Sequence, residues 1–302
     1  MMHFVTMLCV MLSVGFFTLY ERKCLAYFQL RKGPNKVGYM GLAQPLADAL
    51  KLFMKEKESP LKSVAVFYFF APVFSLIIAL SSWALYESFI GFSNFFWGIF
   101  FYAIVCSLGV FPVFLAGWSS QSKYGMLGGI RCLAQTVSYE ISFTLGLGFF
   151  MFYYFSSDFY SVGDRVSFWP LFFWSWPCVV WFLTCVAEVH RAPFDFAEGE
   201  SELVSGYHVE YGGAGFAFLF ISEYSSILLS CCVFSSLFYG GCGVKVLDWS
   251  WFWISVFFFC FLFVLLRGSF PRLRYDLLMS LVWKSFIPWM TVFLMVLVCL
   301  EY

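Results

Sequence analysis

Six carboxylates lie close together in one stretch of a chain that is otherwise strongly apolar. The stretch, residues 187 to 213, reads AEVHRAPFDFAEGESELVSGYHVEYGG, and its acids are Glu188, Asp195, Glu198, Glu200, Glu202 and Glu210. Crowded carboxylates repel one another when ionised, so in a partly desolvated pocket the pKa of at least one of them should rise. Such a cluster can take up and release protons near neutral pH. The alternative is an acidic loop that is simply solvated.

Two features of local structure are predicted within this stretch. Glu188 and Arg191 are three residues apart, a spacing that lets them pair at a helix end. Asp195 followed by Glu198 matches a helix N-cap and its capping-box partner, which predicts a short helix starting near Phe196. On that helix Glu198 would share a face with the acid four residues later, and like charges at that spacing repel each other.

Two further acids, Glu140 and Glu223, occur inside apolar segments. The surrounding sequences are LAQTVSYEISFTLGLGFF and GFAFLFISEYSSILL. An acidic residue at the centre of a membrane span costs about 2.5 to 3.5 kcal/mol, so such residues usually face a polar interior or a proton path. Together with the acidic stretch, they predict a line of carboxylates that leads into the membrane.

The composition indicates which elements must position these acids. Of 302 residues, 62% are hydrophobic and only 12% are charged, and the mean hydropathy is +0.82. A soluble domain usually carries about twice that charged fraction. We therefore predict an all-α integral membrane protein, one domain over residues 1–302, with about eight transmembrane helices, an interfacial amphipathic helix and a structured acidic loop. The predicted spans cover residues 3–20, 64–86, 95–117, 136–156, 169–187, 214–239, 250–267 and 285–301.

The distribution of basic residues predicts how the spans are oriented. With eight spans, the segments 21–63, 118–135, 188–213 and 268–284 emerge on one face of the membrane. Of the 18 Lys and Arg residues, all but Arg165 and Lys245 fall on that face or at its edge. The positive-inside rule places it on the cytoplasmic or matrix side. The first apolar run lacks the basic segment and cleavage site of a removable signal peptide, so we expect it to be a span.

The segment GLAQPLADALKLFMKEKESP predicts a helix that lies in the membrane interface. Apolar residues recur at helical spacing, yet the apolar run is too short to cross the bilayer. The apolar positions are Leu42, Leu46, Ala49, Leu50 and Phe53, and the polar positions opposite them are Gln44, Asp48, Lys51 and Lys55. Beside an entrance for a lipid-soluble substrate, this helix would form one wall.

A second basic segment, RGSFPRLRYDLLMSLVWKSF, places Arg267, Arg272 and Arg274 near Asp276 on the same face. One interpretation is a basic loop at the membrane surface. The alternative is that these arginines pair with the acidic stretch or bind a partner subunit.

Several classes of protein are disfavoured. The eleven cysteines show no C-x-x-C pair, and three histidines offer no facing pair for a membrane haem. Nucleotide-binding and zinc-protease motifs are missing. What the residues support is a proton-responsive polytopic membrane protein: a subunit of a bioenergetic complex, a proton-coupled secondary transporter, or a membrane scaffold. The two halves of the chain show no similarity of the kind that many transporters have.

Four stretches carry a resemblance to a known family. They are ERKCLAYFQLRKGPNKVGYMGLAQPLADALKLFMKE, SKYGMLGGIRCLAQTVSYEIS, the acidic stretch itself and PRLRYDLLMSLVWKSFIP. In order and spacing they resemble NADH-ubiquinone oxidoreductase chain 1, the membrane subunit of respiratory complex I at the junction with the peripheral arm. The resemblance covers essentially the whole chain, and RAPFDFAEGESELVSG is its most specific part.

The resemblance implies roles for particular residues. It implies that the first span, the interfacial helix and the sixth span frame a quinone entrance, and that the acidic loop faces the quinone chamber and begins a path to the proton pumps. The implied channel and chamber residues are Arg22, Arg31, Asp48, Phe220, Glu198, Glu200, Glu202, Arg272 and Arg274. The implied proton-coupling residues are Glu140, Glu188, Arg191, Asp195, Glu210 and Glu223.

The resemblance also implies what surrounds the chain. It implies ubiquinone as substrate, no redox centre, catalytic residue or metal in this chain, and FMN and iron-sulfur clusters in partner subunits. The implied partners are the peripheral-arm subunits of the quinone site, the antiporter-like membrane subunits and membrane lipid, with no nucleic acid. The implied location is the mitochondrial inner membrane, with multiple spans and the charged loops on the matrix side.

Two residues depart from the family pattern. His190 and His208 stand where the family more usually has an amide side chain. Since histidine changes charge near physiological pH, His190 could add a titrating group beside Glu188.

Overall fold

The computed structural model describes residues 2–56, 59–87, 91–92, 95–165, 174–196, 199, 204–238 and 246–301. In this part of the chain nearly all regular structure is helical, and the two-residue strands β1 (Tyr86–Glu87) and β2 (Gly91–Phe92) pair antiparallel. The predicted all-α class is confirmed. The helices are α1 Met2–Phe28, α2 Gln44–Met54, α3 Ala65–Ser82, α4 Gly98–Leu108, α5 Val110–Ser119, α6 Lys123–Tyr154, α7 Phe159–Arg165, α8 Ser175–Glu188, α9 Gly213–Phe238, α10 Val246–Ser269, α11 Tyr275–Leu281 and α12 Ile287–Glu301.

Within the described residues, six segments are long and apolar enough to cross a membrane. They are His3–Phe28, Ala65–Leu85, Gly98–Ser119, Gly213–Phe238, Ser250–Ser269 and Tyr275–Leu300. Two other helices lie where spans are predicted: α6 is long but carries Arg131 and Glu140, and α8 has only 14 described residues. The predicted count of eight therefore stays a prediction.

Three helices extend further than the predicted spans. Helix α1 runs to Phe28, α6 starts at Lys123, and helical structure begins at Tyr275, before the last predicted span. The 27 residues of α1 extend about 40 Å at 1.5 Å per residue, which exceeds the hydrocarbon core of about 30 Å. Hydropathy marks only the apolar part of a helix, whereas the backbone hydrogen bonds continue through its polar end.

Helix α9 is the central element of the fold. It packs against α1, α2, α3 and α10, and most of its side chains are buried. The helix is rich in small residues such as Ser222, Ser225, Cys231 and Ser235, which let helix backbones approach closely in membranes. This central position allows α9 to carry Glu223 into the interior.

The predicted interfacial segment forms helix α2. The helix contacts α1 and α9, while Leu46, Leu50 and Phe53 are exposed. At its C-terminal end, Gly213 takes a left-handed conformation with φ 57°, and a Cβ there would lie 3.3 Å from the carbonyl oxygen of Lys55. The helix is thus held against the start of α9. Its contact with lipid stays a prediction.

A buried aromatic cluster joins α6, α8 and α9. The Trp181 ring stacks on Phe143 and Phe234, with ring centroids 5.7 and 5.4 Å apart. Gly146 leaves room for the Trp181 ring, because a Cβ at that position would lie 2.3 Å from Trp181 Cδ1 and 2.8 Å from Met290 Cε. The absence of a side chain at Gly146 therefore determines how closely α6, α8 and α12 pack.

We expect Gly146→Ala to destabilise the protein by about 1 to 3 kcal/mol, the usual cost of overpacking a core. The measurement is the amount and thermal stability of the protein in its native membrane. Gly148→Ala is the matched control, since its Cβ would meet only Leu294 Cδ1, at 3.8 Å. Equal stability of the two variants would contradict this account of the packing.

Candidate functional site

An ion pair joins α1 to α2 at the predicted quinone entrance. Arg22 Nη1 lies 2.6 Å from Asp48 Oδ2, and Gln44 Nε2 donates to Asp48 Oδ1 at 2.8 Å. Arg31 is exposed, and its Nε donates to Gln29 Oε1 at 2.9 Å. The structure thus brings Arg22 and Asp48 together, whereas the described contacts of Arg31 lie elsewhere.

A buried charge cluster lies beside this pair. The carboxylate of Glu21 accepts hydrogen bonds from Arg267 of α10 and from the Tyr224 hydroxyl of α9, the latter at 2.6 Å. Arg191 Nη1 lies 3.8 Å from Glu21 Oε1, and the Arg191 guanidinium stacks 4.3 Å from the centre of the Tyr224 ring. A buried carboxylate is costly unless it is paired and hydrogen-bonded. This cluster therefore fixes the start of the acidic loop against three helices.

Gln135 clamps the beginning of the acidic loop. Its Nε2 donates to the carbonyl oxygens of Ala187 at 3.1 Å and of Phe194 at 2.7 Å, and the side chain is fully buried. The first of these oxygens lies in the last turn of α8, where helix carbonyls need partners from outside the helix. One amide of α6 thus joins the two ends of the segment 187–194.

The basic segment after α10 holds the other side of the loop. Arg272 Nη2 lies 3.9 Å from Asp195 Oδ1, and its guanidinium stacks 5.4 Å from the centre of the Phe196 ring. A Cβ at Gly199 would lie 2.8 Å from Arg272 Nη2, so a side chain there would require the guanidinium to shift. The predicted pairing of an arginine with the acidic loop is found for Arg272. Arg274 is exposed and pairs with Asp276 at 3.0 Å.

A cavity of about 120 Å³ has acids of two helices in its wall. Glu188 at the end of α8 and Glu223 of α9 both line it, and residues of α3, α4, α5 and α6 complete its wall. A water molecule needs roughly 10 to 15 Å³ of such space and a few polar partners, so several waters fit. Hydroxyl groups supply those partners, from Ser75, Ser82, Thr136, Ser222, Ser226 and Ser230.

Glu223 has polar partners on the loop that precedes α9. It accepts a hydrogen bond from the Tyr207 hydroxyl, and His208 Nε2 lies 3.3 Å from its Oε1. Phe220, predicted at the quinone entrance, packs with its ring centroid 5.8 Å from His208 and 6.2 Å from Tyr224. Phe220 therefore lies between the buried charge cluster and Glu223.

Glu188 at the end of α8 and Glu140 of α6 form a second pair of neighbouring acids. Glu188 Oε2 is buried, and within the described part of the chain it has no hydrogen-bond partner. Glu140 of α6 is close enough to interact with it electrostatically, and is itself partly exposed. A buried carboxylate that lacks a fixed partner is suited to binding a proton or a water molecule.

Glu210 lies where the loop meets α3. Its carbonyl oxygen accepts a hydrogen bond from the Tyr68 hydroxyl, and the Tyr68 and Tyr211 rings stack with centroids 4.3 Å apart. Burial raises the pKa of the Tyr211 hydroxyl. The hydroxyl therefore stays protonated and donates to the Tyr68 carbonyl oxygen at 3.2 Å.

Three predicted chamber acids, Glu198, Glu200 and Glu202, lie outside the described residues, as does most of the short helix predicted from Phe196. The predicted pairing of Glu188 with Arg191 is wrong. Helix α8 ends at Glu188, and His190 takes a left-handed conformation with φ 53°. The chain leaves the helix before Arg191, so the side chains of Glu188 and Arg191 are not placed on one helical face. Arg191 contacts Glu21 instead.

Sequence reasoning missed Glu21, Tyr224 and Gln135. Glu21 stands beside Arg22 in a basic segment, and the neighbouring sequence gives no sign that its carboxylate is buried. Gln135 is a polar residue in a helical, mostly apolar stretch, the same signal that singled out Glu140. Among the residues with described positions, no group of three or more His, Cys, Asp or Glu side chains could hold a metal ion.

A second cavity, of about 570 Å³ and mostly apolar, lies along α1 between Thr6 and Tyr20. Its other walls come from α9, α10 and the turn that follows α3. Its lining is aromatic and aliphatic, including Phe17, Trp83 and Trp253. Such a space suits a hydrocarbon chain.

We expect Gln135→Met to loosen the acidic loop. The change removes the Nε2 donor from the carbonyl oxygens of Ala187 and Phe194, which keep only backbone donors, and even about 1 kcal/mol of lost stability makes local opening roughly fivefold more frequent. The measurement is the rate of protease cleavage within residues 188–213 of the assembled complex. Ser138→Ala is the control, since the Ser138 hydroxyl bonds to Ala134 of its own helix. Unchanged cleavage in Gln135→Met would contradict the clamp.

Comparison with known proteins supports the resemblance described above, and the match covers nearly the whole chain. A model of the family described as NADH dehydrogenase matches residues 1–298. NADH-ubiquinone oxidoreductase chain 1 of Aedes aegypti is 48% identical over 282 residues, which cover 93% of this chain and 89% of the relative. The protein of the same name from Heterololigo bleekeri is 47% identical over 300 residues, 99% of this chain and 96% of the relative. That from Locusta migratoria is 43% identical over 291 residues, 93% of this chain and 88% of the relative. The chain therefore belongs to the NADH dehydrogenase family that includes NADH-ubiquinone oxidoreductase chain 1.

Proposed function

We propose that this chain forms part of the quinone channel of NADH:ubiquinone oxidoreductase and begins the path that couples quinone reduction to proton pumping. The chain is a core membrane subunit of that enzyme, and a multi-pass protein of the mitochondrial inner membrane. The observation that carries the proposal is the cavity that both Glu188 and Glu223 line, whose otherwise mostly apolar wall also contains serine and threonine hydroxyls. The family match favours this function over a free-standing transporter.

The quinone entrance would lie between α1, α2 and α9. Ubiquinone is apolar and reaches the enzyme from the bilayer, so its passage needs an apolar wall with polar groups near the headgroup. The Arg22–Asp48 pair holds α2 against α1, and Phe220 faces the same region from α9. The apolar cavity along α1 offers space for an isoprenoid tail or a lipid chain. Arg31 marks the exposed end of this entrance.

The acidic loop would respond to the chemistry of the quinone. Reduction makes the quinone anionic or proton-demanding, and carboxylates close by then exchange protons or move. Glu198, Glu200 and Glu202 occupy the part of the loop between Phe196 and Val204. Gln135 and Arg272 hold the residues just before this segment, at Phe194 and at Asp195, and would confine the response to the acids that follow.

Arg191 would link the loop to the intramembrane acids. Its guanidinium contacts Glu21 and the Tyr224 ring, and it interacts electrostatically with Glu223. A change of charge in the loop would alter the electrostatic potential at Arg191. A resulting shift of Arg191 would then alter the potential at Glu223. Waters in the cavity could carry protons from Glu223 to Glu188.

The path would leave the chain at Glu140. This acid is partly exposed on α6 and interacts electrostatically with Glu188. A partly exposed acid within a span is expensive unless a polar partner covers it. We propose that an antiporter-like subunit does so, that the peripheral-arm subunits cover the acidic loop, and that the charged loops face the matrix. Electrons would arrive from an iron-sulfur cluster, and FMN would also lie in a partner.

We expect Glu188→Gln and Glu223→Gln to lower ubiquinone-linked turnover and proton pumping at least tenfold. Each removes a group that binds a proton, a contribution of about 10²-fold to 10⁴-fold in typical proton-transfer steps. Electron transfer from NADH to an artificial hydrophilic acceptor should be unchanged. Glu200→Gln and Glu202→Gln should behave in the same way.

Asp158→Asn is the matched control, because Asp158 lies between α6 and α7, away from the cavity. Assembly is checked on native gels. A loss of both activities in fully assembled Glu188→Gln enzyme would count against a coupling role. Loss of assembly in Glu140→Gln or Glu223→Gln would favour a purely structural role.

Photolabelling with a quinone analogue tests the entrance separately. We expect label on peptides within residues 21–55 and 188–224 of the assembled complex, and excess ubiquinone should prevent it. The labelled peptides are identified by mass spectrometry. Label confined to other subunits or other spans would overturn the proposed entrance.

A further inference from the structure

Cys132 and His190 form a close thiol–imidazole contact at the wall of the cavity that Glu188 and Glu223 line. Cys132 Sγ lies 3.2 Å from His190 Nε2 and 4.0 Å from His190 Nδ1. The thiol is buried in α6, and the imidazole lines the cavity. The two residues come from different parts of the fold. Cys132 lies within α6, and His190 lies just beyond the end of α8.

The backbone holds His190 in this position. Its φ of 53° turns the chain after α8, and its N–H donates to the Ala187 carbonyl oxygen at 3.3 Å. On α6, Gln135 stands one turn after Cys132 and clamps the same loop. Cys132 and Gln135 therefore lie on the same face of α6, and both contact the segment that follows α8.

The cavity brings other titratable groups near this pair. Glu188 precedes His190 by two residues, and Glu223 lies across the cavity on α9. Glu140 of α6 interacts with Glu188, and Arg191 follows His190 in the chain. The remaining titratable residues of the cavity wall are Tyr102 and Cys106 of α4, Cys185 of α8 and Tyr207 before α9.

We propose that Cys132 and His190 together form a proton-holding group in the cavity, placed to deliver protons to Glu188. The inference rests on the proposed function, since it adds a group to that path. A thiol and an imidazole at hydrogen-bonding distance can share one proton between sulfur and Nε2. Glu188 lacks a fixed hydrogen-bond partner among the described residues, which leaves it able to accept a proton from the cavity.

The proton transfers balance without an oxidant or a further reactant. When the imidazole gives a proton to a cavity water on its way to Glu188, the proton on Cys132 can move to His190 Nε2 and leave a thiolate. Uptake of a proton by the pair restores the neutral thiol and the neutral imidazole. Only S–H, N–H and O–H bonds form and break.

A purely structural role predicts a different result. If Cys132 only fills space beside His190, removing the thiol should change stability but not the pH dependence of turnover. If the pair supplies protons, its loss matters most at alkaline pH, where protons are scarce. The alkaline limb of the pH profile is therefore the measurement that separates the two.

The experiment compares His190→Asn and Cys132→Ala in the assembled complex. The amide is chosen for position 190 because it is close in size to the imidazole and does not titrate. We expect ubiquinone-linked turnover to change less than twofold at the pH optimum, while the alkaline limb moves to lower pH by about one unit. Cys132→Ser, whose hydroxyl can still hydrogen-bond to the imidazole, should recover part of that shift.

Cys178→Ala is the matched control, because Cys178 is a buried cysteine of α8 that does not line the cavity, and its profile should coincide with that of the unchanged enzyme. If His190→Asn and Cys132→Ala also keep that profile while Glu188→Gln loses turnover, the proton path stands and the Cys132–His190 proposal is wrong. If Glu188→Gln retains full turnover, the path itself fails and the pair has no role in it. Should Cys132→Ala fail to assemble, His190→Asn with Cys132→Ser gives the same decision.

Discussion

A charge buried in an apolar protein must be paired, and the arrangement of this chain depends on how it pairs Glu21. The carboxylate of α1 is held by Arg267 of α10, by Tyr224 of α9 and by Arg191 of the acidic loop. Removing a partner would weaken the pairing and hydrogen bonding that offset the cost of burying this carboxylate. Three helices and the loop are consequently held together at one point, beside the predicted entrance for quinone.

The acidic loop is positioned by side chains that are not themselves acids. Gln135 fixes the segment that follows α8, and Arg272 contacts Asp195 and Phe196 from the opposite side. Between and beyond these anchors lie the acids that the proposed function uses. Rigid supports around a small number of proton-binding groups limit the conformations through which a change in charge can be transmitted, which suits a coupling element.

The sequence predicted some of these features better than others. The membrane class, the helical segments and the interior position of Glu223 followed from hydropathy and from the cost of burying charge. The ends of α1, α6 and α11 did not, because polar helical turns extend beyond the apolar run. The pairing of Glu188 with Arg191 was predicted from helical spacing and is wrong, because the helix ends before that spacing is completed.

The sequence by itself determined the class of protein, the uneven distribution of basic residues and the family, since these depend on composition and on local motifs. Only the tertiary structure decided which charges meet. Arg267 and Glu21 are 246 residues apart in the chain, and Gln135 reaches carbonyl groups more than 50 residues away. Such contacts follow from how helices pack in three dimensions, and local spacing contains no information about them.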